Sequence, residues 1–339
     1  MRRENSSASQ NLHSTNRRKF RQLKDGAATL LISADEKLVE ANMLNNEELQ
    51  TYRNVGKIVA EVKEHMRSIV KPGVALLDIA ETVEEMIKQK GAKPAFPCNV
   101  SLNQVAAHYS PPADDDSQVK EGDLVKIDIG AHVDGYIADT AVTIATGAKI
   151  EMVQAVERAL EEGIKVVKPG IDVGEIGKAV EDSAKASGFK PIRNLTGHGL
   201  SRWNLHGGIT IPNVNEKTGQ KLEVGDVVAL EPFLTDGAGF VEDAPQAYIF
   251  RYLRDRPVRM RMTRELLNTI KRSYSSLPFA ERWLAKQMSK LRLELTLREL
   301  VGVGALHPYH ILKECGDGFV AQAEHTIIVT ESGCEVTTR

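Results

Sequence analysis

One stretch of this chain is written twice. "SIVKPGVALLDIAETVEEMIKQKGAKP" (68–94) matches "KVVKPGIDVGEIGKAVEDSAKASGFKP" (165–191). Lys-Pro-Gly at 71–73 returns 97 residues later at 168–170, and the pairs Gly91/Gly188 and Pro94/Pro191 keep that interval. Each copy reads as a Pro-Gly turn, then an amphipathic helix with apolar residues at three-to-four spacing, ended by glycine. A further helical pattern precedes each copy, at 46–70 and 151–167. Strand-like segments repeat too: "VKEGDLVKIDIG" (119–130) matches "KLEVGDVVALEP" (221–232), and "ADTAVTI" (138–144) resembles "AEHTIIV" (323–329). So long a period belongs to a duplicated domain unit, not to a solenoid. The pattern predicts an α+β unit used twice about a pseudo-two-fold axis, its strands forming a curved antiparallel sheet backed by helices.

The repeated strands carry acids where apolar residues belong. Asp128 and Asp139 lie inside "VKIDIG" and "IADTAV", although Asp is among the residues least favoured in strands. Between them, Asp134-Gly135 reads as a two-residue hairpin turn. That turn pairs Gly130 with Asp139 and leaves Asp128 as a diagonal neighbour on the same face, about 7–8 Å away at Cα. The repeat aligns Glu231 with Asp128 at an interval of 103 residues, and Glu324 with Asp139 at an interval of 185. Four acids then converge on one point. Desolvation and mutual repulsion oppose their ionisation. One shared proton cannot relieve four carboxylates, whereas about two divalent cations can. Pairing with buried Lys or Arg is the weaker reading, because the flanking strand residues are Ile, Ala, Val and Leu. Three histidines join the candidates: His198 in "NLTGHGL", a glycine-flanked loop or strand end, His206 in "NLHGG", and His108 in "AAHYSPP". Spacing alone does not separate them from ordinary structural histidines.

The two halves differ in one place. Asp128 and Asp139 are 11 residues apart, Glu231 and Glu324 are 93 apart, so the second half holds an insertion, expected over 247–308. Its core reads as two or three helices with a short strand, a small winged-helix-like subdomain. Residues 250–300 carry thirteen Lys/Arg against five Asp/Glu; a solvated face accounts for this surplus, with RNA contact as the alternative. Residues 1–24 hold seven Lys/Arg against one acid. Residues 1–42 are expected to be a disordered basic extension ahead of a domain over 43–339; a targeting segment is the alternative. The formal net charge of −2 gives no overall polyelectrolyte character. Three scattered cysteines, Cys98, Cys315 and Cys334, make no disulfide framework or metal-spaced pair and fit a reducing, cytoplasmic setting. No apolar run is long enough to span a membrane.

These residues together resemble the methionine aminopeptidases in their type II, archaeal-like form, whose fold is the "pita-bread" fold. The likeness runs from about Met43 to the C-terminus, on "AFPCNVSLNQVAAHYSP", "KIDIGAHVDGYIADTAVT", "NLTGHGL", "NLHGG", "VALEPF" and "AEHTIIV", in that order; the late helical insertion marks type II. The resemblance implies five metal ligands: Asp139 and Glu324 bridging two cations, Asp128 on one, His198 and Glu231 on the other. It places His108 near the substrate's N-terminus and first carbonyl, and His206 against the scissile peptide. Phe96, Leu205, Phe233 and Tyr309 fall where the family lines its methionine pocket. "HPYH" around Tyr309 and the middle of "FPCNVSLN" depart from the usual pattern.

The activity so implied is removal of an N-terminal methionine by dinuclear-metal-assisted hydrolysis, with a small second residue preferred and Glu231 shuttling the proton, helped by His206 and His108. Four carboxylates and one imidazole would accept Mn, Fe, Co or Zn. The implied partners are nascent polypeptide N-termini, with a ribosome contact through the basic tail or insert, no membrane, and a monomeric chain in the cytoplasm. An X-Pro dipeptidase or aminopeptidase P shares the fold and ligand types, but usually carries an extra N-terminal domain and lacks the late insertion. A non-catalytic RNA- or protein-binding homologue would have lost ligands that are all present here.

Overall fold

Each Lys-Pro-Gly turn ends one helix and lets the next begin. In a computed structural model, which describes residues 44–147 and 149–339, helix α1 (Asn46–Ile69) stops before the first turn and α2 (Leu76–Gln89) follows it. Helices α3 (Ile150–Val166) and α4 (Val173–Ala186) flank the second. Proline withholds a backbone N–H there, and Gly73 and Gly170 take positive φ of 91° and 80°. The expectations for residues 1–42, and Met43 at the expected domain start, lie outside the described residues.

The strands follow the same duplicated order. The first half contributes β1 (Lys93–Pro94), β2 (Asn99–Leu102), β3 (Val105–Ala107), β4 (Leu124–Val133) and β5 (Tyr136–Ala145). The second contributes β6 (Lys190–Pro191), β7 (Thr196–Ser201), β8 (Asn204–Pro212), β9 (Val227–Leu230), β10 (Phe233–Thr235) and β11 (Val241–Tyr252). After them come β12 (Phe279–Ala280), β13 (Leu306–Glu314), β14 (Val320–Gln322), β15 (His325–Thr330) and β16 (Gly333–Val336). All the strand pairings are antiparallel, in a curled, pita-bread arrangement. One apolar cluster seats α1 and α2 on β4 and β5 through residues such as Val59, Ile79, Ile127 and Val142. A second seats α3 and α4 on β9, β14 and β15 through Val156, Ile176, Val228 and Ile327.

Register demonstrates the pseudo-two-fold. Pro94 pairs with Ala131 and Lys93 with His132; Pro191 pairs with Leu234 and Lys190 with Thr235. Ser101 pairs with Lys126 as His198 does with Ala229. Even the isolated bridges repeat, Ala75 with Gln118 and Asp172 with Lys221. Asp123 accepts from the Lys120 N–H, as Asp226 does from that of Glu223.

The same ladders correct one expectation. Gly130 pairs with Asp139, and its counterpart Phe233 pairs with Gln322. Gln322 is therefore the counterpart of Asp139, and Glu324 that of Ala141. The alignment of Asp139 with Glu324 was two residues out. A two-residue step keeps a side chain on the same sheet face, so the misaligned glutamate still points to the common centre.

The halves meet through two threonines related by this symmetry. Thr326 Oγ1 donates to the Asp139 carbonyl and accepts from the Asp139 N–H, both at 2.8 Å. Thr143 Oγ1 does the same to Gln322, at 2.7 and 2.8 Å. Between the paired strands β11 and β13, the chain forms α5 (Arg261–Tyr274), a 3-10 turn at Glu281–Trp283 and α6 (Lys290–Gly302). These pack on β11–β13 through Phe250, Leu266, Ile270, Phe279, Leu297 and Leu300. Among the described residues no helix is long and apolar enough to cross a membrane.

Candidate active site

Asp134 and Gly135 take positive φ of 50° and 88°, the conformation a two-residue turn matched to strand twist requires. The turn fixes Gly130 opposite Asp139 and Asp128 opposite Ala141, so both aspartates project from one face. Glu231 sits between β9 and β10, where Pro232 cannot supply a ladder N–H. Glu324 precedes β15, its N–H held by the Ala141 carbonyl at 3.1 Å. His198 lies within β7, not in a loop. Its glycine neighbours face away, into backbone: a Cβ on Gly197 would stand 2.4 Å from the Ala229 carbonyl oxygen, and one on Gly199 2.2 Å from that of Gly207. Only glycine permits so close an approach on both sides.

The structure brings every site residue expected from the sequence to one cavity of about 370 Å³. Asp128, Asp139, His198, Glu231 and Glu324 form its floor; Phe96, His108, Leu205, His206, Phe233 and Tyr309 line the rest. Ligand atoms of Asp139, His198 and Glu324 lie within 4.8 Å of one another. His198 Nε2 is 3.8 Å from Asp139 Oδ2 and 3.4 Å from Glu231 Oε1. His198 Nδ1 faces the Gly199 carbonyl at 3.4 Å, so Nδ1 carries the proton and Nε2 presents its lone pair to the acids.

The electrostatics of this floor are unfavourable as they stand. Burial holds Asp139, Glu231 and Glu324 well above the usual carboxylate range, and repulsion from the neighbouring acids adds to it. Burial raises Asp128 to about 7, against the opposing hydrogen bond from Asn99. Burial depresses His198 to about 4. Asp128 Oδ1, Asp139 Oδ1 and both Glu324 carboxylate oxygens are buried with no hydrogen-bond partner. Orphaned acceptors around a bare imidazole nitrogen are the surroundings a divalent cation needs.

Above the floor the lining is apolar and aromatic. Phe96 packs against Gly130, where a Cβ would stand 2.0 Å from the ring. The His198 and His206 ring centroids are 4.5 Å apart, and Tyr309 is edge-on to His108 at 5.4 Å. His108 has a positive φ of 64°, and its Nδ1 donates to the His310 carbonyl at 3.0 Å, which leaves Nε2 free. Burial lowers its pKa.

The sequence reading missed the residues that hold the acids. Asn99 Nδ2 donates to Asp128 Oδ2 at 3.0 Å, and Gln322 Nε2 approaches Glu231 Oε2 at 3.4 Å. The correct repeat interval would have exposed Gln322 as the partner of Asp139; nothing in the sequence marks Asn99. Ile249 and Leu312 also line the cavity, contributed by β11 and β13, the strands that flank α5 and α6.

Comparison with known proteins identifies the family. The profile of Metallopeptidase family M24 matches residues 50–331. The chain is 47% identical over 294 residues to a methionine aminopeptidase of Methanothermobacter thermautotrophicus, covering 86% of this chain and 98% of that one. It is 50% identical over 294 residues to one of Thermococcus onnurineus, covering 86% and 100%. Among solved structures, a methionine aminopeptidase from Thermotoga maritima superposes with a TM-score of 0.65 at 25% identity, covering 88% of this chain and 99% of that one. A duplicated fold with a carboxylate-floored cavity, matched along almost its whole described length, places this chain in metallopeptidase family M24, among its methionine aminopeptidases.

Proposed function

We propose that the cavity removes the N-terminal methionine of nascent polypeptides with two divalent cations held by Asp128, Asp139, His198, Glu231 and Glu324. The observation that carries this reading is the cluster of buried carboxylates about His198: Asp128 Oδ1, Asp139 Oδ1 and both Glu324 carboxylate oxygens have no hydrogen-bond partner, and atoms of Asp139, His198 and Glu324 lie within 4.8 Å of one another. Asp139, His198 and Glu324, with atoms within 4.8 Å of one another, would hold the cations, together with the neighbouring Asp128 and Glu231. Bound cations supply Lewis acidity, polarising a carbonyl and making water easier to deprotonate. The chain does the rest. The substrate's free α-amino end lies toward the floor, and Phe96, Leu205, Phe233 and Tyr309 enclose the flexible thioether and exclude water. His206 donates to the scissile carbonyl, and His108 Nε2 faces the first residue. Glu231, whose Oε2 is approached by Gln322 at 3.4 Å, takes the proton from the attacking water and returns it to the leaving amine. A small second residue is preferred, as the resemblance to the methionine aminopeptidases implies. Four carboxylates and one imidazole accept Mn, Fe, Co or Zn. The chain works as a cytoplasmic monomer, with its basic tail or insert available to the ribosome.

Protein stripped of divalent ions should be inert, and Mn²⁺ or Co²⁺ should restore release of Met from Met-Ala-Ser, with two ions bound per chain. Cleavage of X-Pro peptides in preference to Met-Ala-Ser would reject the reading, and one bound ion at full activity would reject the dinuclear form.

A further inference from the structure

A cationic group without a partner stands just outside the cavity. On the β11–β13 ladder, Ile249 pairs with Tyr309 and Arg251 with His307. Ile249 and Tyr309 line the cavity, and side chains two residues apart share a sheet face. Arg251 and His307 therefore project from the cavity side, one step nearer solvent. The alternate residues confirm this, since Phe250, Tyr252 and Leu306 pack into the apolar cluster of the insertion. His307 is exposed and Arg251 half-buried. Ring contacts run outward from the floor: His198 to His206 at 4.5 Å, His206 to Tyr309 at 6.2 Å, Tyr309 to His307 at 5.1 Å. The Arg251 charge reaches His206, His307 and Tyr309.

Among the described residues the Arg251 side chain has no ion-pair or hydrogen-bond partner, and its Nε is buried and unpaired. Asp243, exposed and opposite the cavity-lining Leu312 on the same ladder, is the carboxylate whose charge reaches His307, but it makes no ion pair or hydrogen bond with Arg251. A buried, unpaired guanidinium nitrogen is costly and suits a planar acceptor, for which arginine's fork is built.

We infer that Arg251, with His307 beside it, forms a subsite for a carboxylate on the leaving peptide, downstream of the scissile bond. This rests on the aminopeptidase reading above. With the α-amino end at the floor and the first side chain in the pocket, the remaining substrate leaves through the solvent side, past His206 and along the face that bears Arg251. The floor and the cationic rim then orient a substrate that carries its free amino group at one end and an acid a few residues on. The acid is either an Asp/Glu side chain or the C-terminal carboxylate of a short peptide.

Two peptide pairs on the Mn²⁺-loaded enzyme distinguish these sources: Met-Ala-Glu-Ser-amide against Met-Ala-Gln-Ser-amide, and Met-Ala-Ser free acid against its amide. The acidic member of at least one pair should show a kcat/KM about five- to tenfold higher, the preference lying in KM and fading with added salt. Arg251→Gln should abolish that preference while leaving the neutral peptides unchanged, and Arg251→Lys should restore part of it. Equal rates within both pairs, or a preference surviving in Arg251→Gln, overturns the subsite alone. Failure to release Met from any of the four overturns the aminopeptidase reading and this inference with it.

Discussion

Replacing Asp128 by asparagine removes one negative charge from a cavity that holds three other carboxylates. Burial raises the Asp128 carboxyl from 3.8 to about 7 in the folded protein. The native state thus binds that proton more tightly than the unfolded chain. This stabilising contribution is fully present below the unfolded value and is lost as pH rises through the folded one. The amide introduced by Asp128→Asn has no such titration. In divalent-free buffer, the stability of Asp128→Asn relative to wild type should therefore rise between pH 4 and pH 7, by a few kcal/mol at about 1.4 kcal/mol per unit. Urea midpoints across that range check it, and parallel pH curves would contradict it. With Mn²⁺ present the order reverses, because the variant has lost a ligand. Gly130→Ala tests the pocket wall. A Cβ 2.0 Å from Phe96 forces the ring to move, at a cost of about 1–3 kcal/mol in stability. The kcat/KM for Met-Ala-Ser should fall at least about tenfold, while Mn²⁺ affinity stays near wild type because the floor is untouched.

At the level of elements, the two threonine clamps form a controlled pair. Thr326→Val and Thr143→Val each remove two hydrogen bonds to the opposite half and should each cost about 1–3 kcal/mol in urea unfolding. They should differ in metal binding. Thr326 holds the backbone of Asp139, which lies in the acidic cluster, whereas Thr143 holds Gln322, which only approaches Glu231. Calorimetric Mn²⁺ titration should show the larger loss for Thr326→Val; equal losses would mean that strand position does not govern the site. The pairing of helices, the hairpin register and the four acids were legible in the sequence because Pro-Gly turns and Asp-Gly hairpins impose local geometry. The Asp139–Glu324 alignment failed because strand periodicity gives the same face at every even shift, so residue likeness could not resolve a two-residue slip. Asn99 and Arg251 were illegible for another reason: their importance comes from neighbours brought together only by folding.

For the whole molecule, bound cations are linked to stability, since no comparable site survives in the unfolded chain. Saturating Mn²⁺ at about 100 times its dissociation constant should stabilise the protein by about 2.7 kcal/mol. Scanning calorimetry with and without chelator checks this, and an unchanged midpoint would contradict it. Asp128 and Asp139 come from one repeat, His198, Glu231 and Glu324 from the other, and the clamped seam runs between them. A peptidase at large in a cell full of newly made chains is hazardous until its specificity pocket exists. Here that hazard is contained by construction: a growing chain that has made only its first repeat lacks His198, Glu231 and Glu324 from the floor and Leu205, Phe233 and Tyr309 from the walls, so both wait for the second.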